Sequence, residues 1–357
     1  MNKLPVSVVI SAYNEEKKIV DCIQSVSFAD EVIVVDNTSN DNTAELARQH
    51  GATVYIKENN LMLNVNKNFG FTKAKNEWVL SVDADERITP ELTEEIEKVL
   101  KLDESDIDTP HFFESEPEGS VPQSRRPDPL PKGEGNISDN SSPSRETVPA
   151  GRQGIKERGM SGFWIPRKNI IFGKWIQHTG WYPDYQLRLF KKTAGKFPEK
   201  HVHEMVKIEG EAGYLHHPMI HYNYESIAQF LRKTIIIYTP NEASEKIRNG
   251  YTIHYLDAIR FPTQEFLRRF FTQEGYKDGF HGLMLSLLMA CYHFFIFAHM
   301  WDMKGFKEPE NGNVLKDVEK EMKRSSKEFV YWFSSEKLKQ TTNPLSKVYF
   351  KIKRKLN

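Results

Sequence analysis

Hydrophobic and polar positions change period repeatedly along the first hundred residues. Short apolar runs occur at 6–10 (VSVVI), 31–35 (EVIVV), 52–56 (ATVYI) and 78–82 (WVLSV), each of strand length and rich in β-branched residues. Between them the spacing becomes helical. Ile19, Cys22, Ile23 and Val26 recur at i, i+3, i+4 and i+7 behind Asn14, a candidate N-cap. Residues 41–50 read as a helix stopped by Gly51, and 66–76 as another. Thr89 and Pro90 stand at N-cap and N1 of a helix whose apolar face is Leu92, Ile96, Val99 and Leu100. Strands alternating with helices predict an α/β domain with a doubly wound, mostly parallel sheet. Such sheets bind ligands beyond the carboxyl ends of their strands. Three polar clusters fall there: Tyr13-Asn14-Glu15, Asp36 to Asp41, and Asp83-Ala84-Asp85.

The pattern then breaks. Residues 113–160 contain seven Pro, six Gly and seven Ser, too little apolar surface to order themselves, so 114–160 reads as a disordered insertion inside a domain. Strand-like sequence resumes at 162 and continues to 223; from 225 onward the chain reads helical. Residues 283–298, LMLSLLMACYHFFIFA, are almost wholly apolar. At 1.5 Å per residue they reach about 24 Å, short of the roughly 30 Å hydrocarbon core unless flanking residues join them. The expected organisation is a domain over 1–223, interrupted by the insertion, and a helical region over 224–357.

Charge adds a direction. Lys plus Arg equals Asp plus Glu at 49 each, so the net charge names no partner. Residues 313–357 nevertheless hold twelve basic and five acidic side chains, a local +7 that suits an anionic membrane surface. The two cysteines, Cys22 and Cys291, cannot form a disulfide framework or a cysteine metal site, and the first residues lack a long apolar signal segment. A reducing compartment is expected.

Candidate chemistry gathers at the strand ends. Asp83 and Asp85 flank one residue; on a continuing strand both carboxylates would face one hard divalent cation, with diphosphate on its other side. A solvated turn is the plain alternative. Asp36 with NTSNDNT suits a base or ribose edge, or an Asx turn capping the next helix. Lys67 could reach a phosphate. In WYPDYQLRLF, Asp184 is a candidate general base and Arg188 a phosphate clamp, against the alternative of a surface ion pair. HVHEMV offers His203, which with the two aspartates would complete a metal site, and Glu204 as another carboxylate; His216, His217 and His221 give weaker signals.

These stretches carry a resemblance. SVVISAYNEE, VIVVDNTSNDNT, Lys67-Asn68 and WVLSVDADERIT resemble, in order and spacing, the nucleotide-sugar domain of family 2 glycosyltransferases, the Rossmann-like GT-A fold. PRKN, GKWIQHTGWYPDYQLRLFKK, HVHEMV, residues 221–222 and the late GYKDG resemble the lipopolysaccharide core β-glucosyltransferase subgroup. The resemblance implies an inverting transferase that uses a nucleotide-diphospho-sugar, usually UDP-linked, and a divalent cation, Mg2+ or Mn2+. It puts Tyr13, Glu15 and Asp36 on the base and ribose, Lys67 near the nucleotide, Asp83 on the ribose, Asp85 on the metal, and Asp184 in the position of the base. Pro183 stands where relatives carry Glu, and Asn37, Thr38 and Asn42 where they commonly carry Gly and Ser. The implied acceptor is a membrane-anchored glycan, met on the cytoplasmic face of the membrane. Transfer to a polyprenyl phosphate, or an inactive sugar-nucleotide-binding protein, are the alternatives.

Overall fold

The structure, a computed structural model, describes residues 3–58, 63–101, 160–198, 205–308 and 313–355. The expected insertion therefore lies, except for Met160, outside the described residues, as do His203 and Glu204. Within these bounds the chain forms two compact units, one from residues 3–101, 160–171 and 182–223, the other from 172–181 and 224–355.

The first unit opens with β1 (Leu4–Ala12), α1 (Ile19–Ser25), β2 (Ala29–Asp36), α2 (Thr43–Gln49), β3 (Thr53–Ile56), α3 (Leu63–Lys73), β4 (Trp78–Asp83), β5 (Glu86–Arg87) and α4 (Pro90–Lys101). β1 pairs in parallel with β2 and β4, and β2 with β3. Val6, Val8, Val9 and Ile10 of β1 are all buried, because this central strand is covered on both faces. Asn14 does not cap α1. Its φ is 54°, and its side chain accepts from Asn40 N at 2.8 Å, while Ser39 Oγ receives its own N–H. Asp41 does turn its carboxylate onto the start of α2, accepting from Thr43 N at 3.0 Å.

α3 sits close on the sheet for a reason its apolar period does not reveal. It buries Asn64, Asn66 and Asn68. Asn66 donates to Asn37 Oδ1 (2.5 Å), and Asn68 exchanges two hydrogen bonds with the Phe197 backbone (both 2.9 Å). Paired amides meet the polar cost of burial. Gly70 permits the approach, since a Cβ there would collide with the side chains of Val9 and Val35.

The sheet continues in the opposite sense. After β6 (Gly162–Ile171), and β7 (Lys174–Trp175) of the second unit, the chain returns as β8 (Asp184–Lys191). β8 lies between β4 and β6 and is antiparallel to both. β9 (Gly195–Lys196) and β10 (Lys207–Ile208) pair separately. β11 (Ala212–Tyr214) joins β6, and β12 (Met219–Tyr224) runs antiparallel to β5.

The second unit is helical. α5 (Ile227–Lys233) passes through a π turn into α6 (Thr239–Arg248), and α7 (Asp257–Leu267) into another π turn, Arg268–Thr272. α8 (Phe280–Met303), α9 (Val314–Gln340) and α10 (Pro344–Lys355) follow. The apolar run 283–298 is the middle of α8, whose 24 residues reach about 36 Å. The flanks do join it, so the helix is long and apolar enough to cross a membrane. One face packs inward through Leu285, Met289, Ile296 and Met300.

A buried ionic cluster lies in this unit. Glu265 meets Arg268 at 2.5 Å, Arg269 at 2.6 Å and His293 at 3.6 Å. Burial pushes the Glu265 carboxyl up, but Arg269 and Arg268 outweigh it and bring the group from 4.5 down to about 2. Burial pushes His293 from 6.5 down to about 4, although Glu265 pulls the other way. Below pH 6.5 the unfolded chain therefore binds more protons than the folded one. The His293 contribution to stability is complete above 6.5 and is lost as pH falls to 4; that of Glu265 is lost between 4.5 and 2. Melting temperature should drop steadily through both windows, and His293→Gln should flatten the upper one. An unchanged slope in that variant would refute the linkage.

Candidate active site

Register alone gathers the first polar groups. Ala12 of β1 lies opposite Asp36, and Ser11 opposite Asp83, so both aspartates end strands beside the Tyr13–Glu15 turn. Asp36 is buried and accepts from Ser39 N (2.9 Å) and Ser39 Oγ (2.5 Å). Its Asx-type turn closes the loop that holds Asn14. Tyr13 is exposed at this rim, and Glu15 pairs with Lys18 at 3.6 Å.

Asp83, a carboxylate at the end of an apolar strand, is met by two cations. Lys67 reaches its Oδ1 at 2.6 Å and Arg188 its Oδ2 at 2.7 Å. Burial alone would raise the carboxyl; Arg188 and Lys67 together hold it well below the usual carboxylate range. Arg188 also donates to Glu86 Oε1 at 2.6 Å. Its burial disfavours the cation, but Asp83 and Glu86 raise its pKa above the ordinary value. Arg188 is thus buried between two carboxylates and does not stand open as a phosphate clamp. Its Nε–H has no partner among the described residues.

Asp83 and Asp85 do not share a strand face. β4 ends at Asp83, where Glu86 accepts from the Asp83 N–H at 2.9 Å and turns the chain. Asp85 comes instead to His221 of β12, with Oδ2 3.6 Å from Nε2. The His221 tautomer follows from its other neighbour. Asn169 of β6 gives its amide N–H to the Asp184 carboxylate (3.3 Å), which can only accept. Its Oδ1 therefore faces His221 Nδ1 at 2.7 Å, and Nδ1 is the donor. With Nδ1 so engaged, Nε2 is the ring nitrogen turned to Asp85, an oxygen and a nitrogen ligand atom side by side. This is how an imidazole is oriented to bind a metal, its other nitrogen fixed by a hydrogen bond.

A divalent cation fits this pair and not Asp83, whose two oxygens already take cationic donors. Among the described residues no three His, Cys, Asp or Glu side chains are gathered to hold a metal by themselves. Two protein donors, with diphosphate oxygens and water completing the shell, suit Mg2+ or Mn2+.

Asp184 begins β8 but does not pair with Arg188 on the same strand. Arg167 of β6 grips its Oδ2 with Nε (2.9 Å) and Nη2 (2.5 Å), and Gln186 donates to Oδ1 at 3.0 Å. Burial pushes the carboxyl up, and Arg167 with these hydrogen bonds more than reverses it. Arg167 also lies 3.5 Å from Glu86, linking Asp184 to the Asp83–Arg188 group. His216 and His217 are elsewhere, their backbone N–H groups donating to Glu95. Arg167 and Asn169 carried no separate signal in the residue pattern and entered only through the resemblance, in PRKN; His221 had given only a weak signal of its own.

The fold and this strand-end site have the arrangement of a GT-A domain. Residues 7–151 match the model of the family described as Glycosyl transferase family 2. The chain is 43% identical over 96 residues to an uncharacterized glycosyltransferase of Rickettsia typhi, a match covering 27% of this chain and 32% of that protein. The chain thus spans about a third of these Rickettsia relatives. The lipopolysaccharide core biosynthesis glycosyltransferase LpsC of Rhizobium meliloti is 22% identical over 315 residues, 87% of this chain and 96% of LpsC. Among solved structures, glucosyl-3-phosphoglycerate synthase of Mycobacterium tuberculosis, in complex with Mn2+, UDP and glucosyl-3-phosphoglycerate, matches 23% of this chain and 34% of that one, at 29% identity and a TM-score of 0.21.

Proposed function

We propose that the chain is an inverting glycosyltransferase that moves a hexose from a UDP-sugar to a membrane-anchored glycan of the lipopolysaccharide core type. The observation that carries this reading is the Asp85–His221 pair, oriented by Asn169 at the carboxyl end of the parallel strands. The similarity to LpsC along most of the chain supports the acceptor class.

In this reading residues 1–223 act as the transferase domain and 224–357 as a docking region. Tyr13, Glu15 and Asp36 hold base and ribose. Lys67 and Arg188 keep Asp83 ionised, and its remaining lone pairs accept from a ribose hydroxyl. Asp85 and His221 hold a divalent cation, which would neutralise charge on the leaving diphosphate. Asp184, aimed by Arg167, takes the proton of an acceptor hydroxyl. The acceptor oxygen bonds to the anomeric carbon as the bond to the diphosphate oxygen breaks on the opposite face. Release of UDP or GDP from a panel of sugar nucleotides, with Mg2+ or Mn2+, tests the reading. UDP-hexose should be the donor consumed; no release from any donor would overturn it.

The protein would work from the cytoplasmic face of the membrane. α10 exposes Leu345, Val348, Tyr349 and Ile352 at i, i+3, i+4 and i+7, among Lys347, Lys351, Lys353, Arg354 and Lys355. A basic amphipathic helix of this kind lies in an anionic interface, each cation contributing about 1 kcal/mol. Protein lacking 347–357 should pellet less with anionic vesicles at low salt than the full chain. Equal pelleting with neutral and anionic vesicles by both proteins would refute this anchor.

A further inference from the structure

The helical unit holds a cavity of about 740 Å³ that the proposed transfer chemistry does not use. Its volume lies within the roughly 300–1,000 Å³ of small-molecule sites. We propose that it binds the alkyl chain of a phosphate-headed lipid, with the head held between Lys304 and Lys307.

The walls favour a chain over a polar ligand. Ile247 and Ile253 line the cavity beside the rings of Tyr251 and Phe297. Three polar groups of these walls are engaged within the protein. Tyr251 Oη donates to Asp257 at 3.0 Å, Tyr255 Oη donates to Asp317, and His254 Nδ1 accepts from Leu256 N at 3.2 Å. A sugar or base entering here would lose hydration and find few replacements. An alkyl chain loses none.

The rim adds charge. Lys304 and Lys307 both line it, and among the described residues neither ammonium meets a carboxylate. Among the described lining residues Glu308 is the one acidic side chain, against the two lysines. Lysine stems can follow apolar surface while their heads reach a phosphate. The surroundings indicate where such a chain would come from. Phe280, Leu287, Phe294 and Trp301, seven residues apart, are exposed along one face of α8. The stripe ends at the cavity, because Trp301 also lines it, its indole N–H tied to Lys307 O at 3.1 Å. Tryptophan with one apolar and one wet end is suited to the boundary between lipid and water.

Dodecyl phosphate, titrated calorimetrically into the full chain below its micelle concentration, tests the site. Saturable binding of one molecule is expected. Lys304→Gln with Lys307→Gln should weaken it about tenfold, two cations near an anionic head, while leaving dodecyl maltoside unaffected. Ile253→Trp should fill the cavity and abolish binding of both amphiphiles; if that variant melts early, Thr252→Trp at the more exposed wall replaces it. Donor hydrolysis should be unchanged in all of them, so the outcome is independent of the transferase reading. Unchanged affinity in the lysine variant would overturn the proposal. Displacement by inorganic phosphate alone would also overturn it, assigning the rim to free phosphate.

Discussion

Asp85→Ala should lose metal-dependent donor turnover by about 10³-fold, several kcal/mol of charge stabilisation at the leaving group, while its melting temperature stays near the parent's. Asp85 approaches His221 at 3.6 Å at the edge of the buried network, so its removal leaves no buried cation unpaired. Mn2+ binding measured by calorimetry should vanish with it, and His221→Ala should weaken the same binding. Asp83→Asn should behave differently. It takes one carboxylate from Lys67 and Arg188, and breaking a buried pair costs about 3–5 kcal/mol. That variant should be unstable before it is inactive. If Asp85→Ala retains turnover within a few-fold, and EDTA is harmless to the parent, the metal assignment is wrong.

Asp184→Asn should lower kcat by about 10²–10⁴-fold, the usual range for a general base, with donor affinity nearly unchanged. Asn keeps the shape and the contact with Gln186 but cannot accept the proton. The paired Arg167 sets the pH profile. With the Asp184 carboxyl held below its ordinary 3.8, it stays ionised across the neutral range. The acid limb of kcat/KM attributable to it should lie below that value. A limb above the ordinary carboxylate range would mean that another group titrates. Should Glu204→Gln reproduce the kcat loss while Asp184→Asn does not, Glu204 is the base.

The strand-forming runs of the first half were legible because a buried parallel strand needs an unbroken apolar run, and three of the four runs precede a polar cluster; the third, β3, is short and not buried. Thr89 and Pro90 likewise open α4 as their residue types require, with Thr89 Oγ1 accepting from Leu92 N at 3.2 Å. α3 was legible as a helix but not as a buried one, since amides pair it to the loop after β2 and to Phe197. The antiparallel half was harder to read. β5, β9 and β10 are two-residue strands, too short for any period, and β8 enters between β4 and β6 from a distant part of the chain.

The sequence by itself determined where carboxylates would end the central strands, because side-chain burial and strand length are local properties. It also marked Asp83, Asp85 and Asp184 as chemistry-bearing. Only the tertiary structure decided their partners. Asp83 faces Lys67 and Arg188, Asp85 faces His221, and Asp184 faces Arg167 and Asn169. Those partners lie 15 to 136 positions away, brought in by sheet register and, for Lys67, by the packing of α3 on the sheet. A carboxylate's chemistry depends on the charge within a few ångströms of it, and that distance is set by which strands pair.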